Sequence, residues 1–469
     1  MPQPSDQRKS RAARFVANIE QATPQDRDRY LDFLRVVALF MVIIGHWFVR
    51  VILEEDGEPV ARYLLNIAPG WQWATLIWQV MPVFFLVGGM VNKQSWSRAR
   101  DRGETPSSWV SRRAQALLYP VFALLVVLSV AAAVTYRFVP AEQLLLGFNV
   151  ALIPLWFLAA YLMTICLTPA TLSLHRRGYS PALIAILFVS IVMVDILRFT
   201  VEGPILGTQP AVGSLNFVLV WIALHQCGYL WDDGRVPRRT GPRIAFLAIA
   251  AALLAAMIGS GFYPVSMVPL EGTTHPNNGS PPTAVMVILG MVQLALALLL
   301  RRRLTALLQR PWFWAPFGLI GAQLIALYIW HQPVLVAVAN TVHPLSLFPL
   351  TEAVDGLWWA LRPLYFVWLA IPLAIVVMAM SPFASPPKHA RAPDRGPWMI
   401  GLGLVLFSAG LSSLIMSGLH QEDMPLALPW LPLLATVAGL ITLGTLHRGL
   451  FQPGTPSGQD GHKAKRPDQ

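Results

Sequence analysis

Residues 29–47 read Arg29-Tyr-Leu-Asp32-Phe-Leu-Arg35-Val-Val-Ala-Leu-Phe-Met-Val-Ile-Ile-Gly45-His46-Trp47. The stretch is apolar over about the 20 residues that an α-helix needs to cross the hydrocarbon of a bilayer. Eleven further runs of this kind follow, centred near Ile77, Leu125, Ala160, Leu187, Val220, Leu253, Leu289, Ala326, Leu373, Leu404 and Ala438. Over the 469 residues, 55% are hydrophobic and 13% charged, which excludes a soluble globular protein and a disordered one. The mean hydropathy of +0.54 agrees. The expected fold is therefore an all-α, polytopic membrane helix bundle.

The net charge of +11 raises the question of a nucleic-acid partner, and the location of the charges answers it. Of the 35 Lys and Arg, 29 fall in the amino-terminal segment, the tail and alternate connections. Only Arg62, Arg137, Arg198 and Arg362 fall in the other connections, and Arg35 and Arg50 belong to the first run. Under the positive-inside rule this asymmetry predicts a multi-pass protein of the cell membrane with both termini cytoplasmic. No nucleic acid is implied, and the surrounding partner is the lipid bilayer. Residues 1–28 form a polar cytoplasmic amino terminus without a signal-peptide core, so it is expected to be retained. The tail, 451–469, is Pro/Gly-rich and expected to be disordered. Cys166 and Cys227 both lie inside apolar runs and suit small packing positions rather than a disulfide or a metal. No metal set is expected.

With no long connection, chemistry must lie within the bundle or at its mouths. Arg35 and His46 are eleven residues apart, three helical turns plus about 20°, so they share a face about 16 Å apart, with Asp32 within about 40° of it. If Leu31 marks the inner boundary, His46 lies about 22 Å deep. An ionisable group there faces a cavity or a partner, which makes it a functional candidate; the plainer reading is a hydrogen bond to a neighbouring helix, with Asp32 and Arg35 paired as an interfacial anchor. His331 in the ninth run, if that span starts near Phe317, reaches a similar depth of about 21 Å, so the two histidines are candidates to line one cavity. Asp195 and Arg198 read most simply as a local pair. Gly88-Gly89 reads as close helix packing.

The step Asp32-x-x-Arg35 followed by ten residues and His46 resembles the opening helix of the acyltransferase family 3 integral membrane proteins, which O-acylate sugars, glycolipids and other extracytoplasmic acceptors. Phe84-Phe85-Leu-Val-Gly88-Gly89 is similar to the family's Phe-Phe-x-x-Ser-Gly, with Gly88 where Ser is usual. Trp109-Val-Ser-Arg112-Arg113, running to Pro120, resembles its basic entry to the third helix, with Leu117 where a second Arg is usual. Trp156-Phe157-Leu158 and Tyr328-Ile-Trp-His331-Gln332-Pro333 resemble its fourth-helix and late-helix signatures. The resemblance covers roughly 29–380, a ten-helix acyltransferase core, and leaves 381–450 as two additional C-terminal transmembrane helices. It implies an acyltransferase, with O-acetylation and carbohydrate modification as the expected chemistry.

The residues suit that chemistry independently. Acyl transfer from a thioester needs a base or a nucleophile, and a neutral imidazole serves as either. The catalytic candidates are His46, Arg35 and Asp32. Acyl-CoA, acetyl-CoA in particular, is the expected co-substrate, and its phosphates match arginine forks. Arg35, Arg112 and Arg113 are the candidates to hold it, although Lys93, Arg98, Arg100 and Arg102 in the same connection read equally as topological charge. His331, Tyr328 and Trp156 are expected nearby or on the acceptor side, where an extracytoplasmic hydroxyl-bearing acceptor would enter; an interfacial aromatic belt accounts for Trp156 as readily. The alternative is a twelve-span transporter or flippase. Arg100-Asp101-Arg102-Gly103-Glu104 fails the spacing of the major facilitator loop signature, and no six-plus-six repeat is evident.

Overall fold

The computed structural model describes residues 11–24, 27–201, 205–206, 209–272, 276–387 and 393–447. The expected disordered tail 451–469 and the first ten residues lie outside them. Each apolar run forms a helix. Leaving one-turn segments aside, the order is α1 (Arg11–Ala22), α2 (Arg29–Val49), β1 (Arg50–Glu55), β2 (Glu58–Tyr63), α3 (Met81–Asp101), α4 (Pro106–Phe138), α5 (Leu155–Arg176), α6 (Ser180–Thr200), α7 (Asn216–Asp232) and α8 (Thr240–Gly259). It continues with α9 (Ala284–Leu308), α10 (Pro311–Ala322), α11 (Leu324–Val342), α12 (Gly356–Ala379), α13 (Pro397–Ser417) and α14 (Trp430–Thr442).

Among the described residues, eleven helices are long and apolar enough to cross a membrane, and α14 is a shorter apolar helix. Its 13 residues rise only about 20 Å, less than the hydrocarbon thickness, because it starts after Pro429 and stops before Gly444, which has φ +80°. A second departure from the sequence reading lies in the ninth span. It starts at Leu324 rather than near Phe317, because Gln323 (φ −107°, ψ 11°) separates it from the shorter α10. A third is the hairpin β1–β2, paired from Arg50↔Tyr63 to Glu55↔Glu58. Its turn is Asp56-Gly57, both at positive φ, the two-residue loop whose twist matches antiparallel strands.

Local chemistry sets the helix starts. The Asp28 side chain accepts from the amides of Tyr30 and Leu31 and opens α2; Thr105 followed by Pro106 opens α4; Asp355 accepts from Trp358 N and opens α12. At one end of the bundle, Asp195 of α6 does more than sit near Arg198. It accepts from Asn216 Nδ2 (2.8 Å), Tyr263 O–H (3.1 Å) and Ala284 N (2.8 Å), tying the 260–283 connection to α6 and α7.

Close packing is specified by glycine. A Cβ on Gly89 of α3 would lie 2.2 Å from the His225 carbonyl oxygen, and one on Gly228 of α7 would lie 2.2 Å from that of Leu86. The two backbones touch, as small residues allow in a membrane where dispersion and not the hydrophobic effect draws helices together. Gly89→Ala has backbone and not a movable side chain to displace, so it should destabilise the folded protein by about 1–3 kcal/mol. Thermal unfolding in detergent measures this, and an unchanged midpoint would contradict the contact. The last two helices use the same device: Gly410 lies against Thr436, and Gly439 against the backbone of Phe407.

Candidate active site

All three catalytic candidates, Asp32, Arg35 and His46, belong to α2, and α11 supplies the partner of His46. His46 Nδ1 lies 2.9 Å from His331 Nε2, with the rings near parallel at 12° and centroids 5.1 Å apart. His331 Nδ1 in turn lies 2.6 Å from the carbonyl oxygen of Tyr328. A carbonyl only accepts, so His331 Nδ1 carries its proton. A neutral His331 then has a lone pair at Nε2, and His46 must donate from Nδ1. The remaining nitrogen, His46 Nε2, is left unprotonated. One backbone carbonyl thus fixes the tautomers of two imidazoles and presents a basic nitrogen on the half-buried His46.

A cavity of about 170 Å³ lies between Arg35 and Tyr328; neither His46 nor His331 lines it, so the two histidines meet each other but do not line this cavity. Arg35, Arg113, Ala116 and Leu117 line its start. Gly88, Val87 and Tyr161 line its middle, and Phe84, Phe157 and Tyr328 its end. From Val91 to Phe84 along α3 it runs about 10 Å, and His331 lies one turn, about 4.5 Å, beyond Tyr328. The Tyr328 hydroxyl donates to the Pro154 carbonyl oxygen at 2.5 Å and fixes that end.

The basic residues of the 92–113 connection separate into two groups. Lys93 is held by Asp232 at 2.9 Å and by Asp233. Burial alone would raise the Asp233 carboxyl, but Lys93 and His175 hold it below the usual carboxylate range. Arg112 donates twice to Glu104, Nε to Oε1 at 3.1 Å and Nη2 to Oε2 at 2.8 Å, and does not line the cavity. Arg113 does. Its Nη2 donates to Asn92 Oδ1 at 2.8 Å, and Asn92 Nδ2 lies 3.1 Å from His225 Nε2. The buried Arg113 Nε has no partner among the described residues. Asp32 lies 3.6 Å from Arg35 and also pairs with Arg27, so it orients the arginine and stays away from His46. Trp156 packs against Phe157, Phe217 and Trp221 and touches neither histidine.

Asn92 and His225 as supports of Arg113 were not evident from the sequence beyond being isolated polar residues in apolar runs. Both departures from the family pattern, Gly88 and Leu117, fall on the cavity wall. The first has a local reason, since a Cβ at Gly88 would lie 2.6 Å from Cε2 of Tyr161, whose ring occupies that space.

A family model described as an acyltransferase domain matches residues 28–382. No curated protein and no solved structure matches the chain.

Proposed function

The chain belongs to acyltransferase family 3 and is a membrane acyltransferase, and from that premise we propose that it moves an acyl group, acetyl in the first instance, from acyl-CoA entering at the basic end to a hydroxyl of an acceptor entering at the other. The observation that carries this reading is the Tyr328–His331–His46 hydrogen-bonded chain, whose first member lines a cavity that two arginines also line. His46 Nε2 takes the acceptor's hydroxyl proton as the oxygen attacks the thioester carbonyl. The tetrahedral adduct collapses with loss of the C–S bond, and the imidazolium returns the proton to the departing thiolate. While His46 is charged, its Nδ1–H bond to His331 Nε2 becomes charge-assisted and stronger.

The residues fit a coenzyme A donor. The unsatisfied Nε–H of Arg113 is a donor in want of an oxyanion acceptor, and Arg35, beside Asp32 at 3.6 Å, presents its guanidinium on the same cavity wall. The cavity is small for a nucleotide and suits a narrow acyl-pantetheine arm, which leaves the nucleotide at the basic end. The charge asymmetry supports a cytoplasmic position for that end, where acyl-CoA is available.

Sealed vesicles of known orientation test the arrangement. With acetyl-CoA supplied only at the face bearing the 92–113 connection, acylated product should appear on the opposite side. Product confined to the donor side of an intact bilayer would overturn the crossing and leave the acyltransferase assignment standing. Untargeted comparison of glycolipids, wall polymers and glycosides from deletion and wild-type cells, for a missing acyl mass, identifies the acceptor.

A further inference from the structure

At the end of the bundle away from the basic loops, a second and much smaller cavity is lined by Ile52, His343, Leu350, Trp358, Arg362 and Tyr365, among others. Three of these carry a polar atom without a hydrogen-bond partner among the described residues. Arg362 is 7% exposed, and no carboxylate or other acceptor engages its guanidinium among the described residues. Its charge lies instead 3.7 Å over the ring of Trp358 and 5.1 Å from that of Tyr365. Trp358, 2% exposed, has an unsatisfied Nε1–H, and His343, 5% exposed, has an unsatisfied Nδ1. The other buried arginines at this end are engaged: Arg50 pairs with Glu271, and Arg198 donates to the Pro281 carbonyl oxygen at 2.9 Å.

Two of the three groups have a fixed polarity. Guanidinium and indole only donate. His343 Nε2 lies 3.4 Å from the Tyr365 hydroxyl, which donates to it or accepts from it according to the tautomer. Burial and the neighbouring Arg362 push this imidazole down to about 4, so it is neutral at physiological pH. Arg362, a buried cation, lines together with Trp358 and His343 a space of about 10 Å³, enough for one oxygen-sized atom. A buried charge without an acceptor is costly, so the arrangement calls for an anion.

The position relates the cavity to the reaction. Phe366, one turn along α12 from Arg362, packs on Trp47 and Phe48 with centroids 5.8 and 4.8 Å apart, the two residues that follow His46. We propose that this cavity is an oxyanion subsite of the acceptor, taking one oxygen of a phosphate or carboxylate while the acceptor's hydroxyl lies toward His46. The loops at this end carry Glu54, Glu55, Asp56, Glu58, Glu352 and Asp355 and favour neutral acceptors in general. Arg362 therefore acts as a local selector for one anionic group. The proposal rests on the acceptor entering from this end.

Binding tests it without any acyl transfer, so failure of the acyltransferase mechanism and failure of the subsite are distinguishable. The full chain is placed in phosphatidylcholine nanodiscs, and its thermal midpoint is followed against inorganic phosphate and acetate, with chloride at matched ionic strength as control. A second series uses phosphatidylglycerol discs. The midpoint of the wild type should rise saturably with an oxyanion. A rise with free phosphate or acetate in neutral discs identifies a soluble anion as sufficient, and a rise on going to phosphatidylglycerol discs identifies a lipid headgroup; either supports the subsite. Arg362→Met should abolish the rise and, with an uncompensated charge removed, should not melt below the wild type in chloride alone. Trp358→Phe keeps the ring and loses only the N–H, and should raise the half-saturating concentration about tenfold; it decides the matter if Arg362→Met does not fold. No saturable rise in any arm beyond chloride, or an equal rise in the Arg362 and Trp358 variants, would overturn the proposal.

Discussion

His46→Ala is expected to leave a folded protein that still binds acetyl-CoA and transfers acyl groups about 10²–10⁴-fold more slowly, the usual worth of a general base. The fold should survive because the change removes one hydrogen bond, between His46 Nδ1 and His331 Nε2, and leaves one buried acceptor unsatisfied at about 1–3 kcal/mol. His331→Ala separates positioning from proton transfer. It keeps the basic imidazole of His46 but removes the acceptor that selects its tautomer, so kcat should fall while the KM for acetyl-CoA stays near the wild-type value. The measurement is steady-state transfer and acetyl-CoA hydrolysis by purified variants with matched thermal midpoints. Wild-type turnover by a folded His46→Ala protein would remove the base from the mechanism. A rise in the KM for acetyl-CoA with unchanged kcat on His331→Ala would reassign His331 to donor binding.

The apolar runs made the bundle legible, because a spanning segment must satisfy its own backbone and so writes its length into the sequence. They also placed Arg35 and His46 on one face, since the helical period relates residues within a single element. What the period does not carry is which elements touch. That His46 meets His331 at hydrogen-bond distance, with Tyr328 O beyond, depends on α2 and α11 being neighbours. Each histidine alone reads equally as a satisfied core residue. The Asp56-Gly57 hairpin was legible in principle from its turn dipeptide, but its charged strands Glu54-Glu55 and Glu58 read as an outer loop beside such apolar neighbours. The break at Gln323 has no proline or glycine at the break itself to announce it. Gly88 stands where the family pattern has Ser. The ring of Tyr161, 73 residues on and in another helix, fills the space a side chain at this position would need.

The same limit governs the adjacent pair Arg112 and Arg113, which the sequence offers as equals and the fold separates. Successive residues on a helix point about 100° apart, so one arginine of α4 faces Glu104 in the loop and the other faces the cavity. Exposed ion pairs such as Arg112–Glu104 contribute about 0–1 kcal/mol, and Arg112→Gln should change the KM for acetyl-CoA less than about fivefold. Arg113 combines an Asn92 contact with a buried, unsatisfied Nε–H. A charge-assisted hydrogen bond to a phosphate oxygen there is worth about 1.5–3 kcal/mol, so Arg113→Gln should raise that KM about 10- to 150-fold and flatten its dependence on salt. Arg35→Ala should act in the same direction, with Arg35→Lys restoring it only in part, because a point charge does not reproduce the guanidinium fork. Competition between acetyl-CoA and desulfo-CoA, titrated at two ionic strengths for each variant, reads the effect separately from the chemical step. A larger loss for Arg112→Gln than for Arg113→Gln would move the phosphates out of the cavity and onto the loop, and with them the path by which the thioester reaches His46.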